Sequence, residues 1–125
     1  MVRHIVVIDD DLLLLTIAKD FLTGAGFRVS TSDTTVYSNE LIYAQDPPDL
    51  ILLDVVMPLM TGDRKVMALK RRKQSRDIPV ILISTKPEEE LRALAAQAGA
   101  DGYLQKPFTP ESLVAKIHEY LPPLS

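Results

Sequence analysis

Residues 50–54 read Leu-Ile-Leu-Leu-Asp, a run of four large apolar side chains that ends at the carboxylate of Asp54. Such a run is too short for a helix, and its lack of polar positions is typical of a parallel strand covered on both faces. Four more short runs predict strands, and two of them are continuously apolar as well. They lie at residues 5–8 (IVVI), 80–83 (VILI), 27–30 (FRVS) and 102–104 (GYL).

Segments of helix length separate these runs. Residues 11–24 are expected to bury one helical face, made by Leu14, Ile17, Ala18, Phe21 and Leu22. The other predicted helices lie at residues 35–44, 63–73 and 88–98 and after the cap Thr109-Pro110. Strands that alternate with helices predict the α/β class, with a single five-stranded parallel sheet, doubly wound, and five helices on its two faces.

Composition excludes several classes of function. The chain has 125 residues, no Cys and a formal net charge of −3, so it fits one domain without a disulfide framework, a thiolate nucleophile or a Cys-based zinc site. His4 and His118 are too few and too far apart in sequence to suggest a metal cage. There is no apolar run of membrane-spanning length and no signal-peptide pattern, so we expect a soluble, cytoplasmic protein. A pI near 5.3 argues against general nucleic-acid binding.

The residues that follow the strands are expected to form one site, because the carboxyl ends of parallel strands meet at one edge of the sheet. At these positions the sequence places acidic, hydroxyl and basic side chains: Asp9, Asp10, Asp11, Asp54, Ser84, Thr85 and Lys106. Carboxylates about 4 Å apart repel by about 4 kcal/mol per pair at an effective dielectric constant of 20, so a positive charge must lie among them.

An all-oxygen site with open positions suits Mg²⁺. Lys106 adds a point charge that can hold a phosphoryl group, and Ser84 adds a hydroxyl donor. The set therefore predicts phosphoryl transfer with Asp54 as the nucleophile. A simpler interpretation is that residues 9–11 only cap the next helix and that Asp54 is only a polar strand end. Capping needs one Asp, however, and an Asp at the end of an apolar strand is costly without a partner.

Five short motifs lie at these strand ends: Ile8-Asp9-Asp10, Leu53-Asp54-Val-Val-Met57-Pro58 with Gly62 beyond, Ile78-Pro-Val-Ile-Leu-Ile-Ser84, Gly99-Ala-Asp101-Gly-Tyr103 and Lys106-Pro107-Phe108. Together they resemble the receiver domain of two-component response regulators, the CheY-like family, from Ile5 to about Leu121. The resemblance implies the flavodoxin-like strand order 2-1-3-4-5. It also implies a receiver domain over residues 1–121, with residues 122–125 as a C-terminal tail or the start of a truncated linker.

The resemblance further implies that Asp54 accepts a phosphoryl group from a kinase phosphohistidine. Asp10, Asp54 and the backbone carbonyl of Val56 would bind Mg²⁺, with Asp9 contributing directly or through water. Lys106 would pair with the phosphoryl oxygens, across a cis peptide to Pro107.

Ser84 and Tyr103 would form the switch pair. On phosphorylation the hydroxyl moves to the phosphoryl group and the aromatic ring turns inward, which reshapes the surface of the fourth helix, fifth strand and fifth helix. An unknown downstream protein would bind that surface. The resemblance implies a phosphorylation-activated switch with self-phosphorylation and self-dephosphorylation chemistry, not an enzyme in the metabolic sense. The expected state is a monomer or a weak phosphorylation-dependent dimer.

Two surfaces suggest partners. Leu12, Leu13 and Leu15 are expected on the outward face of the first helix, beside the acidic site, where a sensor histidine kinase or histidine phosphotransfer protein would dock. Residues 64–76 hold seven of the 14 basic residues but no interleaved aromatic residue for base stacking. We therefore expect a solvated helix face there and no direct nucleic-acid binding. Lys65 stands where the family often has an apolar residue.

Three alternatives stay open. A receiver-fold scaffold would act without phosphorylation, although the intact acidic, Lys and Ser set argues against it. A Mg²⁺-dependent phosphohydrolase with an aspartyl-phosphate would need a second Asp two residues after Asp54, where this chain has Val56. A flavodoxin-like cofactor binder would need a phosphate-cradling first loop, whereas residues 9–11 are acidic.

Overall fold

The computed structural model describes residues 2–123. Five strands and five helices alternate along them. Their bounds are β1 His4–Ile8, α1 Leu12–Gly24, β2 Arg28–Ser32, α2 Ser38–Ile42, β3 Leu50–Asp54, α3 Gly62–Arg71, β4 Val80–Ser84, α4 Glu88–Ala98, β5 Gly102–Gln105 and α5 Pro110–His118. Of the predicted tail, Leu124 and Ser125 lie outside the described residues.

The strands form one parallel sheet in the order β2-β1-β3-β4-β5. This confirms the predicted class and strand order. Helices cover both faces, because successive side chains of a strand point to opposite faces and both faces of this sheet are apolar. Ile5 and Val7 point to the core beneath α1 and α5, whereas Val6 and Ile8 point to the core beneath α2, α3 and α4. Both pairs are fully buried, which explains why residues 5–8 of β1 are all apolar.

Local signals place three of the helix ends. Asp11 caps α1 by accepting hydrogen bonds from the backbone N–H groups of Leu13 and Leu14. Thr109 caps α5 in the same way, with Ser112 completing a reciprocal capping box. Gly99 ends α4 in the left-handed region, at a φ of 85°. The predicted helices at 35–44 and 63–73 are longer than the observed α2 and α3.

The predicted buried face of α1 is confirmed at Ala18 and Leu22 and is wrong at Ile17 and Phe21. Leu15, Ala18 and Leu22 face the sheet, whereas Ile17 and Phe21 are more than 40% exposed. Residues 12–15 are all leucine, so two neighbouring apolar stripes fit the helical period, and only the packing against the sheet selects one of them.

Lys65 also differs from the predicted solvated face. Its side chain lies between α2 and α3 with 4% exposure, and its Nζ donates a hydrogen bond to Asn39 Oδ1. Burial and the nearby charge of Arg72 lower the pKa of Lys65 to about 8. Arg72 in turn lies 4.1 Å over the ring of Tyr43. One of the seven basic residues of this segment is therefore part of the packed interior.

Candidate functional site

Three carboxylates meet at the carboxyl edge of the sheet. Asp9 follows β1, Asp10 follows it in the chain, and Asp54 ends β3. Each of them offers an oxygen within 4.8 Å of the others. Asp9 and Asp54 are buried and Asp10 is exposed, so the cluster opens to solvent on one side. The sequence predicted this convergence, which depends on the parallel pairing of β1 with β3.

Lys106 brings the one ammonium group that contacts this cluster within residues 2–123. Its Nζ donates hydrogen bonds to Asp9 Oδ2 at 2.6 Å and to Asp54 Oδ1 at 3.0 Å. The peptide bond between Lys106 and Pro107 is cis, as predicted. Lys106 N–H also donates to the Ser84 carbonyl at 2.7 Å, which ties the residue to the end of β4.

The charges do not balance. Burial raises the pKa of Asp54, and the nearby charges of Asp9 and Asp10 raise it further, against the lowering effect of Lys106. Burial alone would lower the pKa of Lys106, but its hydrogen bonds to Asp9 and Asp54 raise it overall, so Lys106 stays charged. One ammonium group thus faces three carboxylates, and the excess negative charge fits a divalent cation.

The donor set fits Mg²⁺ in particular. All three side chains offer oxygen, the ligand type that Mg²⁺ prefers, and the exposed position of Asp10 leaves room for the waters that this ion retains. The fourth predicted ligand, the carbonyl of Val56, lies in the loop after β3 and stays a prediction.

Gly62 holds that loop close to Asp54. A Cβ atom at this position would lie 2.1 Å from the Asp54 carbonyl oxygen, so only glycine allows α3 to begin here. Gly62 N–H donates to the Val55 carbonyl at 2.8 Å. The side chain of Val56 is 62% exposed at the rim of the site.

The two predicted switch residues lie on neighbouring strands but do not bond to each other. Ser84 is buried, and its Oγ accepts a hydrogen bond from Lys86 N–H at 3.1 Å. The Tyr103 hydroxyl donates a hydrogen bond to Glu88 Oε1 at 3.1 Å, and this hydrogen bond is the largest of the causes that raise the pKa of Tyr103. Sequence reasoning missed Glu88, because only the packing of α4 against β5 brings it to the tyrosine.

A groove of about 340 Å³ runs beside the site, between α1 and the segment that follows β5. Leu13, Ile17 and Phe21 line it on one side, and Pro107 and Phe108 line it on the other. Thr85 and Lys106 lie at the end next to the carboxylates.

Of the three leucines predicted to form a docking surface, only Leu13 lines this groove. Leu12 is exposed but lines a second groove, between α1 and α2. Leu15 is 6% exposed and belongs to the core, so that part of the prediction is wrong. Among residues 2–123 no helix is long and apolar enough to cross a membrane.

Comparison with known proteins points to one family. The family model described as "Response regulator receiver domain" matches residues 5–118. The phosphate regulon transcriptional regulatory protein PhoB of Escherichia coli K12 is 39% identical over 119 residues, which cover 94% of this chain and 51% of PhoB. The chain thus spans about half the length of this curated relative.

Two solved structures have the same fold. The chemotaxis response regulator CheY4 of Vibrio cholerae is 26% identical, with a TM-score of 0.84 over 96% of this chain and 99% of CheY4. The receiver domain of a sensor histidine kinase of Pseudomonas aeruginosa PAO1, described with a magnesium ion in its active site cleft, has a TM-score of 0.86. It is 22% identical and covers 97% of this chain and 98% of its own, a likeness that concerns the fold. The family match covers residues 5–118 and includes the motifs at the strand ends. This chain therefore belongs to the response regulator receiver domain family, a family of phosphorylation-activated signalling switches.

Proposed function

We propose that Asp54 accepts a phosphoryl group from a histidine kinase or a histidine phosphotransfer protein, and that this modification changes the contacts of the chain with a downstream protein. The observation that carries the proposal is the joint placement of Asp54, Lys106 and two further carboxylates at one edge of the sheet. The proposal includes the cytoplasmic location expected from the sequence, since a chain without Cys fits a reducing compartment.

In the proposed transfer, a carboxylate oxygen of Asp54 forms a bond to phosphorus while the bond from phosphorus to the donor nitrogen breaks and the donor leaves with the electron pair. Lys106 already binds Oδ1 of Asp54, which leaves Oδ2 free of hydrogen bonds among the described residues. Lys106 Nζ would then hold an oxygen of the transferred phosphoryl group.

Asp9, Asp10 and Asp54, with the Val56 carbonyl, would hold Mg²⁺ beside the transferred group. When bound, Mg²⁺ supplies positive charge that offsets the repulsion between the carboxylates and the phosphoryl oxygens. The chain itself orients the transferred group and supplies the carboxylate oxygens of the site. Beyond its own phosphorylation and dephosphorylation, we propose no enzyme activity.

The test is incubation with acetyl phosphate and Mg²⁺, followed by intact-mass measurement. We expect a mass gain of one phosphoryl group, and we expect a metal chelator to prevent it. Absence of the gain with acetyl phosphate and also with a phosphorylated histidine kinase would favour the scaffold that acts without phosphorylation.

We also propose that the kinase or phosphotransfer protein docks in the groove beside the site. The groove exposes apolar side chains of α1, including Ile17 and Phe21, within reach of Lys106.

Leu13→Asp is expected to slow phosphotransfer from a cognate phosphorylated histidine donor by at least about tenfold, because it places a charge in an apolar contact. Leu12→Asp is the matched control, since Leu12 is equally exposed but faces the other groove. Equal rates for the two variants would contradict the docking proposal.

A further inference from the structure

The peptide groups of the loop between β4 and α4 are held from two sides. Lys86 N–H donates to Ser84 Oγ at 3.1 Å, and the Lys86 carbonyl accepts from Gln105 Nε2 at 3.0 Å. Gln105 is the residue of β5 that pairs with Ser84 in the sheet, and it directly precedes Lys106. The loop is therefore fastened between the predicted switch hydroxyl and the strand that carries the site lysine.

Glu88 holds the other predicted switch residue. It is the first residue of α4, and its carboxylate accepts a hydrogen bond from the Tyr103 hydroxyl at 3.1 Å. Lys116 lies 5.8 Å from the centre of the Tyr103 ring. The hydroxyl is thus fixed at the surface, at the start of α4.

We propose that Glu88 and Gln105 are positioning residues of the switch, which hold Tyr103 and the loop of residues 85–87 in the unphosphorylated arrangement. This inference rests on the proposed phosphorylation of Asp54. When the Ser84 side chain turns to place its hydroxyl on a phosphoryl oxygen, its Oγ moves away from Lys86 N–H, and when the ring turns inward, Tyr103 leaves Glu88. The hydrogen bond that Glu88 accepts and the one that Gln105 donates are made in the resting arrangement, so they oppose this change and lower its equilibrium constant.

The expected effect follows from the size of single hydrogen bonds at a partly exposed site. Glu88→Ala and Gln105→Ala are each expected to tighten binding of beryllofluoride, a phosphoryl mimic, by roughly three- to tenfold in the presence of Mg²⁺. Glu88→Gln keeps an acceptor oxygen for Tyr103 and is expected to bind beryllofluoride with nearly wild-type affinity.

Glu89→Ala is the matched control. The substitution removes the same charge from the same turn of α4. Glu89, however, pairs with Arg92 and not with Tyr103, and its side chain is 84% exposed. A general effect of charge on anion binding would therefore appear equally in Glu89→Ala and Glu88→Gln. A positioning effect appears in Glu88→Ala alone among these three.

A spectroscopic readout separates positioning from a change in stability. The chain has four Tyr and no Trp, so 3-fluorotyrosine labelling gives four ¹⁹F resonances, and Tyr103→Phe assigns one of them. In Glu88→Ala without beryllofluoride, the Tyr103 resonance is expected to move toward its beryllofluoride-bound position. Glu88→Ala and Tyr103→Phe are also expected to be non-additive in beryllofluoride affinity, because both break the same contact.

The outcomes are distinguishable. If wild type binds beryllofluoride and is phosphorylated, but Glu88→Ala and Gln105→Ala match Glu89→Ala in affinity and in the Tyr103 resonance, the positioning role is wrong and the proposed function stands. If wild type itself shows no modification that depends on Asp54, the proposed function fails, and the positioning role fails with it.

Discussion

Replacing Asp54 with Asn is expected to abolish phosphorylation by acetyl phosphate and, at the same time, to stabilise the metal-free fold. Asn carries no ionised oxygen to attack phosphorus, so the phosphoryl adduct should fall below detection. The gain in stability is expected because the variant removes one of three carboxylates that face a single ammonium group.

The sign of the stability change follows from the pKa of Asp54. Burial raises this pKa above its usual value of 3.8, and Asp9 and Asp10 raise it further. Between 3.8 and the higher value, the folded chain binds more protons than the unfolded chain, so the free energy of unfolding falls as the pH rises. The penalty is complete above the folded pKa and absent below 3.8. At pH 7 we expect Asp54→Asn to add about 1 kcal/mol, because the loss of the ion pair with Lys106 offsets most of the gain from removing a buried, repelled charge.

Urea unfolding without metal, at neutral pH and again below pH 3.8, measures this gain, and it should vanish at the lower pH. Lys106→Met is the contrasting variant. It is expected to slow phosphorylation about a hundredfold or more, as the loss of a charge-stabilising donor does. It is also expected to cost about 3 kcal/mol of stability, because it leaves buried Asp9 and Asp54 without their cation.

The two variants therefore share a loss of phosphorylation and differ in the sign of the stability change. Persistent labelling of Asp54→Asn would place the phosphoacceptor elsewhere. If Asp54→Asn instead destabilised the metal-free chain as much as Lys106→Met does, the argument from excess negative charge would be wrong, whereas the phosphoacceptor role would stand.

The site could be predicted from sequence because its residues are fixed by the backbone. Asp9 and Lys106 each follow a strand and Asp54 ends one, so once parallel pairing is inferred, the sheet brings their positions together whatever the side chains do. The cap at Thr109 is a local signal and was predicted for that reason, whereas the cis peptide before Pro107 was expected from the family resemblance.

What could not be predicted depends on the choice between near-equivalent packings. The leucines at residues 12–15 fit two stripes of α1, and only contact with the sheet buries Leu15 and exposes Ile17. Glu88 and Gln105 are polar residues at exposed positions, and their sequence neighbours do not indicate that they hold Tyr103 and the Lys86 carbonyl. Those contacts arise where α4 and its preceding loop meet β5.

Lys65, which the sequence placed on a solvated helix face, is buried and is expected to lower the stability of the fold. Its ammonium group is buried with Asn39 as its hydrogen-bond partner, and Arg72 is the nearby charge that affects it. No carboxylate of residues 2–123 forms an ion pair with it within 4.0 Å. Burial of a charge without an opposite charge costs free energy, so the chain carries a penalty at this position.

Lys65→Met is therefore expected to stabilise the fold by about 2 kcal/mol at pH 7, because Met keeps the length and apolar stem of Lys without its charge. The full cost of burying the charge corresponds to the difference between the usual pKa of 10.5 and the folded pKa of about 8, or roughly 3 kcal/mol. The variant also loses the hydrogen bond to Asn39, which reduces the gain in stability. Lys73→Met, which removes the same charge from an exposed position, is expected to change stability by less than about 0.5 kcal/mol.

The pH dependence identifies the cause. Between pH 8 and pH 10.5 the unfolded chain keeps the Lys65 proton and the folded chain releases it, so the wild-type free energy of unfolding gains a rising contribution over this range. The advantage of Lys65→Met over wild type should be constant below pH 8 and should shrink toward pH 10.5. Tyr103 and Tyr120, whose pKa values are raised, titrate in both proteins and cancel in the difference. Urea unfolding of both proteins from pH 7 to pH 10.5 measures this difference in the free energy of unfolding. If the difference did not vary with pH, packing and not the buried charge would account for the difference in stability.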